Sequence, residues 1–565
     1  MSHAAHDLPR YRLADSTLVE PLVHRWAAWP YVLPPLAAGL HLLNYQLPLL
    51  RSYLADPAQH VAAAHDPALI GGPFMDVPPA RAAEVRAFLE ETEAKRTELL
   101  GFTRAAKDFQ AFLVAEARGQ SLEPYYARIP EPLRGYVELV YDYHDRPSLR
   151  FLENLLYESP YYQHGLQSLR LSRLERDGQL PFFMTTPRLD SPGEVDWKLP
   201  FADPRVDALF RLDVEPRPLE EVRTLLGLSP ADDARLLPLL SNTPTRTAEP
   251  WREKRVRVRY FGHACVLLEY DGISILTDPY VAAVPHAGGL ERHSWEDLPA
   301  HIDYALVTHA HQDHFALETL LRLRHRLGTL VVPRSHGMVP GDVSLRMLAR
   351  KLGFPRVVEL AELDSIPLPD GHIAGVPFFG EHGDLVHGKS AYAVRLGREQ
   401  VLIGADSDCL DARTYEHVCR ALGPFDTVFL GTESVGAPLT WSVGPLFPKP
   451  PPPQQAQSRR YHGSNARNAL RLLEAVGARR IYTYAMGAEP WVEHLLGLGM
   501  KEDSPQMIES NAVLAQGRQR GLVADRPMGK AEFCLEPLDT PRPTAPAPEP
   551  APRAPESDTE DQFAF

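Results

Sequence analysis

Cysteine is scarce in this 565-residue chain, and the four that occur form no pattern. Cys265, Cys409, Cys419 and Cys534 make no C-x-x-C pair and no zinc-ribbon spacing. That excludes a disulfide framework and an iron–sulfur cluster, and leaves small buried thiols in a reducing compartment. Positive charge is in deficit, with a formal net charge of −14. An acidic chain is a poor non-specific binder of nucleic acid or anionic membrane, so neither partner is expected. No long uninterrupted apolar run is present. The most apolar window, Tyr31 to Leu50, is broken by Pro34, Pro35 and Pro48 and carries His41, Asn44 and Gln46. It is expected to be a helical segment of a soluble protein rather than a membrane span. Met1 to Arg10 lacks a basic stretch followed by an apolar core, so no secretory signal and a cytoplasmic location are expected. There is no G-x-G-x-x-G fingerprint for a bound flavin or nicotinamide, and no internal repeat.

What the chain does have is Thr308-His309-Ala310-His311-Gln312-Asp313-His314-Phe315, directly after the apolar run Ile302 to Val307. The run has the length and composition of a buried strand. His309 and His311 are two apart, so an extended turn can point both imidazoles the same way. Asp313 and His314 follow after the chain turns and can face a second ion nearby. Two ions at such spacing can share and activate an oxygen. This H-x-H-x-D-H signature resembles the metallo-β-lactamase superfamily, which implies an αββα sandwich with a two-metal site at one edge of its sheets. The fold alone does not choose between hydrolase, oxidoreductase and oxygenase.

The organisation read from composition is 1–245, 246–538 and 539–565. The first is a mainly helical domain for dimerisation or partner docking, the second an α/β catalytic domain, the third a Pro-rich acidic tail that should be disordered. The periodicity predicts helix over Pro79 to Arg118, stopped by Gly119, and further helices over Pro132 to Tyr143 and Ser148 to Tyr157. Ser241 to Pro250 reads as a linker. Beyond it Val256, Val258 and Tyr260 alternate with Arg255, Arg257 and Arg259, the pattern of a half-buried strand. Cys265 to Tyr270 and Ile273 to Thr277 flank Asp271-Gly272, a hairpin. Strands and helices then alternate up to Arg480 to Tyr484. Pro445 to Pro453 holds six prolines and must be an extended loop or flap.

A two-metal site needs further ligands at strand ends on the same edge. Glu381 follows an apolar strand in Phe379-Gly380-Glu381-His382-Gly383, with His382 and His387 as rivals. Asp406 follows another in Gly404-Ala405-Asp406-Ser407-Asp408 and could bridge both ions, with Asp408 as its rival. Superfamily members often place a histidine at the end of the last strand. Here that place reads Tyr484-Ala485-Met486-Gly487, and His462, before the preceding helix, is the best substitute. Asp278, ahead of Pro279, could accept the second ring N–H of a ligand histidine. His263 in Gly262-His263-Ala264 sits at a similar edge, although a core histidine is its plainer reading. Glu433 and Trp441 could line the pocket.

The Phe379-Gly380-Glu381-His382-Gly383 segment, the late His462, the Tyr484 to Trp491 stretch and the long N-terminal domain together resemble a narrower group. This is the di-iron β-hydroxylase family of chloramphenicol biosynthesis, with Leu18 to Trp26 echoing the family's start. The resemblance implies one iron held by His309, His311, Glu381 and Asp406. The other would be held by Asp313, His314, Asp406 and His462. It also implies hydroxylation of an aminoacyl group on a carrier protein in peptide natural-product biosynthesis, with molecular oxygen as co-substrate, and a homodimer formed through the N-terminal domain. Independently, the set of four imidazoles and three carboxylates without a thiolate suits iron better than zinc. With no redox fingerprint of its own, the chain would need an external reductase. The alternatives are a two-zinc hydrolase of a phosphodiester, ester or lactone, and a non-catalytic member with a structural metal site. For a carrier-bound substrate, Pro445 to Pro453 with Arg459-Arg460 could edge a channel for the phosphopantetheine arm.

Overall fold

The computed structural model describes residues 9–536 and 538, apart from 68, 70, 245–246, 336–339, 381–387, 442 and 498. Glu381, its rivals His382 and His387, and the 539–565 tail therefore lie outside the described residues.

Two seven-stranded sheets stack face to face. In the first, Ile302–Leu306 lies near the centre, paired parallel with Ile273–Thr277 and with Leu327–Pro333. The hairpin of Cys265–Tyr270 and Ile273–Thr277 forms as the Asp271-Gly272 signal requires, with both residues at positive φ. In the second sheet Ala391–Leu396 and Glu399–Ile403 run antiparallel, then Thr427–Gly431 and Arg480–Tyr484 join in parallel. Val258, Val266, Leu268, Leu306 and Val331 of one sheet meet Ile373, Tyr392, Val394, Ile403 and Phe429 of the other, all fully buried. Helices Ala412–Leu422, Ala466–Val476 and Pro505–Gln519 cover the outer face of the second sheet. Helices Leu317–Leu323 and Leu345–Lys351, with the N-terminal half of the chain, cover the first. This is the αββα layering, and it puts the end of Ile302–Leu306 at the sheet edge.

The N-terminal half is helical where the periodicity predicts it: Ala82–Lys95 and Thr97–Glu116, ending just before Gly119. It also carries a four-stranded sheet around Thr17–Val23 and Gln167–Arg173, and a three-stranded one around Arg10–Leu13. Where helices are predicted at Pro132 to Tyr143 and Ser148 to Tyr157, the chain forms a hairpin of Val137–Tyr141 and Pro147–Phe151, and only Glu153–Leu156 of the second is α-helical. Asp142 explains the difference. Its carboxylate accepts the backbone N–H groups of His144 and Arg146, closing a turn that a helix could not contain. Tyr31 to Leu50 is a buried helical run with a π-helical stretch at Leu42–Gln46, and no described helix is long and apolar enough to cross a membrane. The Arg257–Gly262 strand is covered on both faces rather than one, because Arg257 and Arg259 both pair with buried Glu269 at 2.8 and 2.9 Å.

A continuous apolar core runs from the N-terminal half through Leu317 and Leu320 to Leu439, Leu446 and Tyr461. Buried ion pairs cross the same boundary. Arg322 grips Asp213 with two bonds of 2.7 and 2.8 Å, and Arg292 binds Asp177.

Candidate metal centre

Thr308 to Phe315 leaves the central strand and turns back at once: the N–H groups of His314 and Phe315 both bond the His311 carbonyl. Phe315 is fully buried and pins the end of the loop into the core. The turn thus drives four polar side chains toward one point.

His309 Nε2 lies 3.1 Å from His311 Nδ1 and 3.6 Å from Asp406 Oδ2. His314 Nε2 lies 3.0 Å from Asp406 Oδ2 and 3.5 Å from Asp313 Oδ2. Asp406 reaches the point from the neighbouring sheet, in the turn after Glu399–Ile403, where Ala405 has a positive φ. Its rival Asp408 is otherwise engaged, accepting from the Cys409 backbone and from the Asn468 amide. All of these ligand candidates are buried.

The outer partners fix the tautomers. Asp278, fully buried at the end of the hairpin, accepts from Thr308 N, from Thr308 Oγ1 and from His314 Nδ1, at 2.7, 2.9 and 2.9 Å. Thr308 Oγ1 spends its proton on Asp278 and so accepts from His309 Nδ1, 3.0 Å away. With Nδ1 of both imidazoles engaged in this way, Nε2 is the nitrogen each turns inward. His263, read most plainly as a core histidine, belongs to the site: its Nε2 lies 2.9 Å from Asp313 Oδ2.

His462 is half-buried and bonds the Ser434 carbonyl through Nδ1 at 3.0 Å, which leaves Nε2 as the nitrogen that could coordinate a metal. It falls outside the tight clusters His309/His314/Asp406 and His263/Asp313/His314 found among the described residues. Its chain is nonetheless adjacent. A Cβ on Gly463 would stand 3.3 Å from the Asp406 carbonyl, and one on Gly380 would stand 3.4 Å from the His462 carbonyl. Lys389 Nζ holds the Gly380 carbonyl at 3.0 Å, next to the segment that contains Glu381. Glu433 lies by Gly463. Its carboxyl is raised well above the usual range, by burial first and then by the charges of Asp406 and Asp313.

Electrostatics shows what the centre demands. Burial opposes charge on His314, yet the carboxylates of Asp406, Asp313 and Asp278 outweigh it and raise the imidazole well above its ordinary value. Asp313 is likewise held ionised against burial, by His314 and His263. His314 Nε2 is buried and makes no hydrogen bond among the described residues. A cluster that draws in positive charge and offers an inward ring nitrogen without a hydrogen bond fits cations at that point. Its all-nitrogen-and-oxygen donor set fits iron.

Two aromatic rings flank the centre. The Phe378 ring stands edge-on to His309 at 5.5 Å and the Tyr461 ring to His311 at 5.3 Å. Tyr461 belongs to a cap, residues 437–461, held from the N-terminal half by the Asn44 amide on the Pro445 carbonyl and by Trp441 stacked on Phe182. Arg460 Nε bonds the Gly436 carbonyl and its Nη1 bonds Gln457, so this guanidinium braces the cap. Sequence reasoning missed Thr308, Lys389, Tyr461 and Gly487. Only Thr308, a hydroxyl at a strand end beside a ligand histidine, carried a readable signal.

Residues 12–244 match the family described as the diiron non-heme beta-hydroxylase N-terminal domain, and residues 257–430 match the beta-lactamase superfamily domain. Over 525 residues the chain is 34% identical to the 4-amino-L-phenylalanyl-[CmlP-peptidyl-carrier-protein] 3-hydroxylase of Streptomyces venezuelae, covering 92% of this chain and 98% of that one. It is similar to the crystal structure of CmlA, a diiron beta-hydroxylase from Streptomyces venezuelae, with a TM-score of 0.86 at 33% identity, covering 94% and 100% of the two chains. A UPF0173 metal-dependent hydrolase of Flavobacterium johnsoniae matches 148 residues at 26% identity, 23% of this chain and 60% of that one.

Proposed function

Because the chain belongs to the diiron non-haem β-hydroxylase family, we propose that it hydroxylates the β-carbon of an aminoacyl group carried as a thioester on a carrier protein, in peptide natural-product biosynthesis. It is a di-iron monooxygenase, and its family uses two iron ions with oxygen as co-substrate. The observation that carries the substrate reading is the near full-length match to a hydroxylase named for a carrier-bound aminoacyl substrate. The hydrolase alternative has support from a relative that spans only part of the catalytic half.

In this reading His309, His311, Glu381 and Asp406 hold one iron, and Asp313, His314, Asp406 and His462 hold the other. When bound, the irons supply the redox chemistry by which oxygen is reduced and a C–H bond oxidised. The overall change consumes one oxygen molecule, two electrons and two protons, and yields the alcohol and water. The electrons come from an external reductase. The chain's own residues orient and exclude: Asp278 and Thr308 aim two imidazoles inward, while Phe378 and Tyr461 keep water from the reacting carbon. A free amino acid would bring its own carboxylate charge beside Asp313 and Asp406 at a high desolvation cost. A thioester removes that charge and raises the effective concentration.

We further propose the division into 1–245, 246–538 and a 539–565 tail, a cytoplasmic location, and a homodimer through the N-terminal half, where Val114, Tyr126 and Tyr143 are exposed. Light scattering at micromolar protein reads the association directly, and a monomer would exclude the dimer.

The deciding assay is intact-mass measurement of a loaded carrier after incubation with reduced enzyme and oxygen. One added oxygen atom is expected, with little conversion of the free amino acid. Equal turnover of the free amino acid would remove the tethering requirement. Thioester hydrolysis without oxygen uptake would overturn the hydroxylase reading.

A further inference from the structure

His263 lies within ligand distance of Asp313 and His314, so it could be taken for an additional metal ligand. Its hydrogen bonds decide otherwise. The backbone N–H of Gly487 points at His263 Nδ1, 3.3 Å away. A backbone N–H can only donate, so Nδ1 is the acceptor and the ring proton sits on Nε2. That nitrogen faces Asp313 Oδ2 at 2.9 Å. A protonated Nε2 has no lone pair for a metal, but it is a donor to a carboxylate.

The local backbone is built to deliver this contact. His263 sits at φ 51, in the sharp connection between Arg257–Gly262 and Cys265–Tyr270. An L-residue other than asparagine or aspartate enters that region only at a cost in backbone strain. The His263 carbonyl accepts from Ala485 N, so the turn is clamped from both of its polar ends by the segment that follows the Arg480–Tyr484 strand. Gly487 cannot be replaced without rearrangement, since a Cβ there would stand 2.2 Å from Leu496 Cδ1. Thus the end of the Arg480–Tyr484 strand, which carries no histidine, contributes a backbone donor that sets the tautomer of a histidine elsewhere.

We propose that His263 is a positioning residue for the metal held by Asp313 and His314: its Nε2–H orients the Asp313 carboxylate, with the tautomer imposed by Gly487. The inference rests on the two-metal reading above and adds an asymmetry to it. The His263 donor reaches Asp313, in the cluster it forms with Asp313 and His314, so its loss should weaken that metal position and spare the other.

The test is titration of cobalt(II) into metal-free protein, followed by absorbance and calorimetry, for wild type, His263→Asn and His263→Gln. Asparagine tolerates the positive φ and resembles the Nδ1 side of the ring but is too short to reach Asp313. Glutamine places an N–H donor near the Nε2 position. Circular dichroism of each metal-free protein reports folding separately from metal binding. Wild type is expected to take two equivalents. His263→Asn should keep one tight site and lose about 10–100-fold in affinity at the other, and His263→Gln should recover most of that loss. Two sites of wild-type affinity in His263→Asn would overturn the inference. So would equal weakening of both sites in a folded variant, or failure of His263→Gln to recover the second site, which would make His263 a ligand or a structural residue. Fewer than two equivalents in the wild type would overturn the two-metal reading itself, before any substitution is compared.

Discussion

Asp278 Oδ2 and His314 Nδ1 are 2.9 Å apart in a site where both side chains are wholly buried. The carboxylate has no other role than to accept, from His314 and from both donors of Thr308. Asp278→Asn keeps the shape and tolerates the backbone, which sits at φ 36. It replaces one acceptor oxygen with an NH₂ group, however, and favours the tautomer with the His314 proton on Nε2, pointing at the metal. Iron affinity should fall about 10–100-fold with the fold intact. Competition with a chelator measures this, and unchanged affinity would show that the tautomer is set elsewhere.

Arg322 and Asp213 join the two halves of the chain through a buried two-bond ion pair, and the Arg322 guanidinium also lies 4.1 Å over Trp295. Removing Asp213 alone strands that cation. Asp213→Ala should destabilise by about 3–5 kcal/mol, whereas Asp213→Leu with Arg322→Met should recover most of it. Denaturant unfolding of the single and double variants checks the pair. A double variant as unstable as the single would mean that packing, not the stranded charge, is responsible.

How far the sequence carried depends on whether a feature is local. The loop from Thr308 to His314 was legible because its candidate ligands lie in one short segment after an unmistakable strand. The Asp271-Gly272 hairpin was legible for the same reason. The Val137–Tyr141 hairpin was not, since its apolar residues suit a helix or a strand and the turn is decided by the Asp142 side chain. The His263–Gly487 bond joins residues 224 positions apart. Nothing local distinguishes His263 from a histidine that merely fills a core. The ion pairs of Arg257 and Arg259 made a strand look half-exposed when Glu269 buries both.

Glu153 lines a small cleft between the halves, beside Pro34, Leu36, Phe151, Leu156 and Val343. Burial, then the charge of Asp342, pushes its carboxyl up to about 8. A raised pKa means that the folded state holds the proton more tightly than the unfolded state. The associated stability is complete below the unfolded value, near 4.5, and is lost as pH rises toward about 8. Glu153→Gln should therefore flatten the fall in stability across that window and leave acid stability unchanged. Melting curves at several pH values test it, and parallel profiles for wild type and variant would refute it.

The last prediction concerns the cap over the centre. Trp441 donates its indole N–H to the Gly71 carbonyl and stacks on Phe182 with ring centroids 5.1 Å apart. Gly71 is at φ 78, and a Cβ there would stand 1.9 Å from the Trp441 ring, so only glycine allows this approach. Farther along the cap the Asn44 amide reaches the Pro445 carbonyl at 2.6 Å, and Lys107 holds Asn44 from behind. The cap ends in Tyr461, whose ring meets His311. The N-terminal half thereby sets the position of a wall of the metal centre without contributing a ligand candidate. Trp441→Phe keeps the stack and deletes one half-buried hydrogen bond, worth about 1 kcal/mol. That is roughly a fivefold change in the population of the closed cap. Limited digestion with trypsin should cut after Arg459 or Arg460 severalfold faster. KM for the carrier-bound substrate should rise by a similar factor while iron content is unchanged, because no ligand has moved. Gly71→Ala should do the same more severely, by collision rather than by loss of a bond. Loss of iron in Trp441→Phe, or an unchanged KM with unchanged proteolysis, would show that the cap is held without the N-terminal half.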